Sequence, residues 1–287
     1  MLFQLVSVLA LVATATATPV HRSRSLSFDR FFTIILENTN YDEAMADDYL
    51  GSTLASRFDT PVMLMRSPGR ILTNLYALTH PSQPNYLAMI SGDTQGNRND
   101  KRFSSSSPTI VDVLEQGGVS WGVYQQGYTG RCNTAMSIGR YVRKHNPFIS
   151  FTGISQNPRR CAKIVPATSL NRDIRSNRVP SYVFYTPDMY NDGHDTGVSY
   201  ASNWLQDFLE PLLVNPVFAN TVFFVTFDED SNSDNQIYGV LLGGPVAAGT
   251  TDNAQYDHYS QMATVEANWG LGNLGQADAS ASAFTLA

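Results

Sequence analysis

The sequence predicts an α/β protein with three layers, α/β/α, around a mostly parallel central sheet. Short continuous apolar runs, the mark of strands buried on both faces, recur along the chain, and stretches with helical apolar spacing lie between them. No internal repeat and no long Pro/Gly/Ser-rich linker interrupts this alternation, so residues 29–287 are expected to form one domain. The 287 residues suffice for a sizeable core, and 43% apolar with 15% charged residues is the balance of a chain that folds.

The elements follow in order. Met1–Ala17 is an apolar run closed by Ala15-Thr16-Ala17, the small-x-small pattern of a signal peptide, and residues 18–28 read as a short pro-segment or flexible arm. The strongly apolar part, Leu2–Ala13, is too short to span a bilayer, and no later segment approaches a span. A secreted protein, extracellular or in the cell wall and without stable membrane insertion, is expected.

Phe31–Leu36 (FFTIIL) is the first predicted strand. Val119–Tyr124, Ser181–Tyr185, Thr221–Phe227 and Ile237–Leu242 are the others, each bounded by Gly, Pro or acidic residues. Ser107-Pro108 before Thr109–Gln116 and Gly117-Gly118 after it mark a helix start and stop, with Pro at the first position. Tyr200–Leu213 and Ser260–Trp269 carry apolar residues at helical spacing. The stretches 92–107 and 127–178 read as loop-rich excursions. The second is stapled by the chain's two cysteines, Cys132 and Cys161, whose simplest role in a secreted protein is one disulfide.

In open α/β sheets, ligands bind beyond the carboxyl ends of the strands. There the sequence places Glu37-Asn38, then Asp188 to His194 (DMYNDGH), then Asp228-Glu229-Asp230, with Asp257-His258 before the last helix. Single acidic residues after strands are commonly turn formers or caps. Four such segments with two of the five histidines point instead to one or two divalent cations; oxygen ligands suit Mg, Ca or Mn, and imidazole admits Zn or Fe. His21 and His145 lack such company and read as surface residues. The net charge of −6 argues against a nucleic-acid partner.

The stretch "HPSQPNY", from His80 to Tyr86, adds a nucleophile. Pro84 pre-sets the first turn of a helix, so Ser82 should lie just before it and Asn85 in its first turn, near free N–H groups that form an anion site. A serine oxygen there, beside a cation, is placed to attack phosphorus, with the helix end and the Asn85 amide receiving phosphoryl oxygens. The bland alternative is that Ser82 is a plain N-cap.

"ENTNYDE" at Glu37–Glu43, "HPSQPNYLAMISGDTQG" at His80–Gly96, "YTPDMYNDGHD" at Tyr185–Asp195 and "TFDED" at Thr226–Asp230 resemble, in order, the phosphoesterase family of fungal secreted acid phosphatases and bacterial phospholipases C. The resemblance implies an alkaline phosphatase-like fold and hydrolysis of a small phosphate ester. It implies Ser82 as nucleophile and Asn85 as phosphate ligand. Glu37, Asp228 and Glu229 would hold the activating metal with Asn38 close by, and a possible second metal site maps onto Asp188, His194 and His258. With one metal, His80, His194 and His258 would bind phosphate or protonate the leaving group, which favours acidic pH.

The expected function is a secreted acid phosphatase working through a phosphoseryl intermediate with metal assistance. The alternatives are a phospholipase C-like or other phosphodiesterase, and a catalytically silent binding protein on the same scaffold. A sulfatase would carry Arg where Tyr86 stands, and no G-x-S-x-G elbow supports a Ser-His-Asp hydrolase.

Overall fold

The computed structural model describes residues 27–55, 68–232 and 234–287. The expected leader and the arm as far as residue 26 lie outside the described residues. At the start of the described chain, the N–H groups of Ser27 and Phe28 donate to Asn268 Oδ1 at 2.9 and 3.4 Å.

The strands are β1 (Arg30–Leu36), β2 (Arg70–Tyr76), β3 (Trp121–Gln125), β4 (Ser137–Ile138), β5 (Tyr141–Val142), β6 (Ile164–Pro166), β7 (Tyr182–Thr186), β8 (Thr221–Phe227), β9 (Gln236–Leu242), β10 (Thr250–Asp252) and β11 (Tyr256–Asp257). The α-helices are α1 (Tyr41–Ala46), α2 (Ser82–Ser91), α3 (Ile110–Gln116), α4 (Thr152–Ser155), α5 (Pro158–Cys161), α6 (Ser169–Arg175), α7 (Val198–Leu213) and α8 (Ser260–Trp269). The main sheet runs β10-β2-β9-β8-β1-β7-β3-β6, with β11 also on β2, and the predicted α/β fold with a mostly parallel sheet is what forms.

All five predicted strands are present. Their side chains are buried almost throughout β1, β3, β7, β8 and β9, which is why they read as unbroken apolar runs. In the main sheet β9 runs against its neighbours β8 and β2. Only residues 228–235 join β8 to β9, too few for a crossover that would restore parallel pairing. β2 was not predicted. Its apolar pattern is broken by Thr73 and Asn74, and the register shifts between Leu72 and Leu75.

Two helix starts differ from expectation. Pro108 precedes α3 rather than opening it: Thr109 is the N-cap, and Asp112 Oδ2 accepts the Thr109 N–H at 2.8 Å, closing a capping box. In α2, Pro81 is the cap and Ser82 is the first helical residue, so Ser82 is not an N-cap. Every residue of α2 is buried, so the helix is wedged into the core with its N-terminus at the strand ends.

Residues 127–178 are less loop-like than expected: they hold the β4–β5 hairpin, α4, α5, α6 and the edge strand β6, tied by the Cys132–Cys161 disulfide. Replacing both cysteines by serine is expected to lower unfolding free energy by about 3 kcal/mol, read from urea denaturation, because the cross-link restricts the unfolded chain.

A second stability prediction comes from α8. Burial, then the neighbouring Asp278 carboxylate, pushes the Glu266 carboxyl up to about 8. Asp278 is held in place by the N–H groups of Leu274 and Gln276 at 2.6 and 2.8 Å. An acid whose folded pKa is raised binds its proton more tightly when folded. Its stabilisation is therefore complete below about pH 4.5 and is lost as pH rises towards 8. Glu266→Gln should remove roughly 2 kcal/mol of that loss, seen as a flatter melting temperature between pH 5 and pH 9.

Candidate active site

The carboxyl ends of β1, β2, β7 and β8 face one edge of the sheet, and the turn after β2 delivers Ser82 there at the start of α2. Ser82 Oγ lies 3.2 Å from Glu37 Oε2, after β1, and 3.2 Å from Glu229 Oε1, after β8. Lys144 Nζ lies 3.4 Å from the same oxygen. Ser82 is 1% exposed and Glu37 fully buried, so the hydroxyl sits between two acidic groups and a cation with little water.

Glu37 is fixed from its other side. Its Oε1 accepts from Tyr86 OH at 2.7 Å and meets His145 Nε2 at 3.0 Å, while His145 Nδ1 lies 3.3 Å from Asp192 Oδ2. Burial alone would raise the Glu37 pKa, yet the His145 charge and hydrogen bond, then Lys144 and Tyr86, hold it down to about 2. Burial would lower His145, but Glu37 and Asp192 lift it to about 9. His145 is thus an imidazolium clasped by two carboxylates, 2% exposed, and the expectation of a surface residue is wrong. Nothing local in Arg143-Lys144-His145 signals this, because its partners come from β1 and the loop after β7.

The other acidic groups behave oppositely. Burial, then repulsion from Glu37 and Glu229, pushes the Asp228 carboxyl well above its ordinary range. Its Oδ1 accepts the Asn38 N–H at 3.3 Å, but its buried Oδ2 has no hydrogen-bond partner. Asn38 itself adopts left-handed backbone, φ 50°. Burial and then Glu37 raise Glu229 to about 7, against the pull of His80, whose Nδ1 lies 2.9 Å from Glu229 Oε2. His80 Nε2 also meets Asp230 Oδ1 at 3.3 Å.

Lys144 joins two further groups. Its Nζ donates to Asp100 Oδ2 at 3.2 Å and lies 3.4 Å from His194 Nε2. Burial opposes the ammonium, but Glu37 and Asp100 raise its pKa, so it stays charged. His194 Nδ1 lies 2.9 Å from Asp195 Oδ1, which leaves Nε2 to accept from Lys144.

Several expected roles are not what the geometry supplies. Asn85 Oδ1 accepts from the N–H groups of Leu78 and Thr79 at 3.0 and 3.2 Å, and its Nδ2 donates to Thr79 O at 2.6 Å. The amide thus pins the chain entering α2 instead of standing open to a phosphoryl oxygen. The Gln83 N–H at the helix end is likewise taken, by Asp100 Oδ1 at 3.0 Å. His258 lies behind Asp228 with Nε2 on the Asp228 carbonyl at 2.6 Å, and burial lowers its pKa to about 4, so it is neutral in mild acid and not the expected cation.

Nor do Asp188, His194 and His258 converge. Asp188 Oδ1 accepts from Tyr190 N and Asn191 N in its own turn, and the residue lines a separate cavity of about 490 Å³ with Gln126, Tyr128 and Asn171. Among the described residues, the trio offering ligand atoms within 4.8 Å of one another is Glu37, His145 and Asp192. That trio can hold a metal ion by residue type. With both imidazole nitrogens facing carboxylates, it forms an ion triad.

Whether a cation fits beside Ser82 can be judged from the residues present. Glu37, Asp228 and Glu229 are three carboxylates buried together, two of them facing one hydroxyl, and Asp228 Oδ2 is left unpaired. Buried carboxylates without enough counter-charge are costly, and hard oxygen donors suit divalent cations. By donor type the set suits such an ion, while the trio whose ligand atoms lie within 4.8 Å of one another is Glu37, His145 and Asp192.

Known proteins resemble this chain in sequence and fold. A family model described as "Phosphoesterase family" matches residues 57–272. The chain is 42% identical over 289 residues to a probable acid phosphatase of Kluyveromyces lactis, covering 96% of this chain and 66% of that one. It is 38% identical to an acid phosphatase of Aspergillus fumigatus, covering 94% and 61%, and 30% identical over 212 residues to a phosphatidylinositol-3-phosphatase of Mycobacterium tuberculosis, covering 73% and 69%. The chain thus spans about two thirds of the length of these relatives. Among solved structures, an alkaline phosphatase superfamily protein from Vibrio parahaemolyticus superposes with a TM-score of 0.56 at 13% identity, covering 88% of this chain and 70% of that one, a likeness of fold. By the extent of the family match and the identity to these relatives, this chain belongs to the phosphoesterase family.

Proposed function

We propose that the chain is a phosphoric monoester hydrolase of the acid phosphatase type, with Ser82 as nucleophile. The observation that carries this is the placement of Ser82 Oγ, 3.2 Å from each of two buried carboxylates and 3.4 Å from Lys144. The names of the fungal relatives support the substrate class. A binding protein without catalysis has no use for a nucleophile held this way.

Glu37, Asp228 and Glu229, with Asn38 beside them, are the residues that would hold a divalent cation. Bound there, such an ion supplies positive charge that favours the serine alkoxide and offsets charge on the phosphoryl group. The chain's own groups do the rest. Glu37, kept ionised by His145 and oriented by Tyr86, accepts the Ser82 proton as Oγ bonds to phosphorus and the ester P–O bond breaks. Lys144 takes the charge spread over the phosphoryl oxygens. His194 on the Lys144 side and His80 on the Glu229 side, both partly exposed, carry the proton that the leaving alcohol needs and the one that the incoming water gives up when phosphoserine is hydrolysed. Asn85 acts by fixing the Leu78–Thr79 turn that aims Ser82.

We place the protein outside the cell, on the strength of the apolar leader with its small-x-small end and of the disulfide. Among the described residues no helix is long and apolar enough to cross a membrane.

The deciding assay is hydrolysis of p-nitrophenyl phosphate beside bis-p-nitrophenyl phosphate and p-nitrophenyl phosphorylcholine from acidic to alkaline pH. Monoester turnover that peaks below pH 7 and exceeds diester turnover is expected. A preference for either diester would move the assignment to a phosphodiesterase or phospholipase C.

A further inference from the structure

Charge is sorted along this chain. Residues 98–178 hold 13 of the 19 Lys and Arg but only 4 of the 25 Asp and Glu, whereas residues 179–287 hold no Lys or Arg and 13 Asp and Glu. Away from the site Arg160 pairs with Asp112 and Glu115, Lys163 with Glu115 and Arg172 with Asp173, whereas Arg131, Arg159, Arg175 and Arg178 are exposed and make no ion pair among the described residues.

What sets four of the unpaired basic groups apart is their place beside Asp100 and Tyr190. Arg98, Lys101 and Arg102 are exposed and flank Asp100, whose carboxylate holds Lys144 and the N–H of Gln83, next to the nucleophile. Arg102 is near enough to Arg143 for its charge to add to the burial that lowers the Arg143 pKa. Arg140 is exposed and lies 3.7 Å over the ring of Tyr190, in the loop that carries His194. None of Arg98, Lys101, Arg102 and Arg140 makes an ion pair among the described residues.

A protein of net charge −6 repels a polyanion at long range, so a local positive rim around the site is informative. We infer that the site is built for substrates carrying more than one phosphate group, one phosphoryl at Ser82 and a second held by the Arg98, Lys101, Arg102 and Arg140 rim. Guanidinium groups match phosphate oxygens in a two-pronged fashion, and Lys144, already committed to the reacting phosphoryl group, leaves the rim for the second. This rests on the hydrolase reading and adds a substrate class to it.

The test uses a matched pair, fructose 1,6-bisphosphate and fructose 6-phosphate, with phosphate release measured for the wild type and for Arg98→Ser/Lys101→Ser/Arg102→Ser. In the wild type the bisphosphate should have the higher kcat/KM, by about tenfold at low ionic strength, with the advantage shrinking as salt is added. In the triple variant that ratio should fall towards one, while the melting temperature reports intact folding. A ratio near one in the wild type, or an unchanged ratio in the variant, overturns the proposal. So does rim-dependent binding to phosphatidylserine vesicles with no substrate preference. If the wild type hydrolyses neither sugar nor p-nitrophenyl phosphate, the hydrolase reading fails separately. Where neither sugar is hydrolysed, the rim is judged by calorimetric binding of fructose 1,6-bisphosphate to Ser82→Ala with and without the three rim changes: weaker binding in the rim variant supports it, and equal binding overturns it.

Discussion

Ser82→Ala should lower kcat for p-nitrophenyl phosphate by about a thousandfold or more, with the melting temperature close to that of the wild type. The magnitude follows from losing a covalent route, which binding and electrostatics alone do not replace. Among the described residues the hydroxyl is the one group that Glu37, Glu229 and Lys144 all address. Removing one small oxygen opens no large cavity, and α2 remains capped by Pro81 and braced by Asn85. Acid-quenched wild type incubated with labelled substrate should carry phosphate on Ser82, found by peptide mass. Turnover surviving in Ser82→Ala, or a phosphate found elsewhere, would sink the nucleophile assignment.

The second large effect is expected from Asp228→Asn, and it separates stability from function. Asp228 is fully buried, has an unpaired Oδ2 and is pushed up by burial and by two neighbouring carboxylates. In the absence of a cation such a carboxylate is a burden, and an amide of the same shape relieves it. Chelator-treated Asp228→Asn should therefore melt at or above the temperature of chelator-treated wild type. Added divalent cation should stabilise the wild type by about 3 kcal/mol when it exceeds the dissociation constant a hundredfold, and stabilise the variant far less. Phosphatase activity should drop at least about a hundredfold. Equal cation-induced stabilisation of both proteins would remove Asp228 from the ligand set and leave the Glu37, His145 and Asp192 trio as the place to look.

These two positions show how differently the site was written into the sequence. Glu37 and Asp228 follow long apolar runs, and a buried parallel strand ending in an acid is legible without any structure. Ser82 was legible through Pro84, which fixes the local backbone. The roles of Asn85 and His258 were not. Both are polar residues near the strand ends, and only packing reveals that Asn85 is spent on Leu78 and Thr79 and that His258 is dehydrated behind Asp228. Strand β2 was hidden because Thr73 and Asn74 interrupt its apolar pattern where the pairing register shifts.

His145 and Lys144 mark the boundary most clearly. Their neighbours in sequence are basic and ordinary, lying in a stretch that reads as an excursion from the core. The β5 hairpin and the short helices after it fold that stretch back over the strand ends, where His145 meets Glu37 and Asp192 and Lys144 meets Ser82 and Asp100. The sequence by itself determined the α/β class, the strands that carry the acids, the disulfide and the serine at a helix start, because each of these is a local pattern of burial or backbone preference. Which charges neutralise one another, which carboxylate stays ionised and which cation faces the nucleophile were decided only by the tertiary structure, because electrostatic pairing depends on distance through space and on exclusion of water.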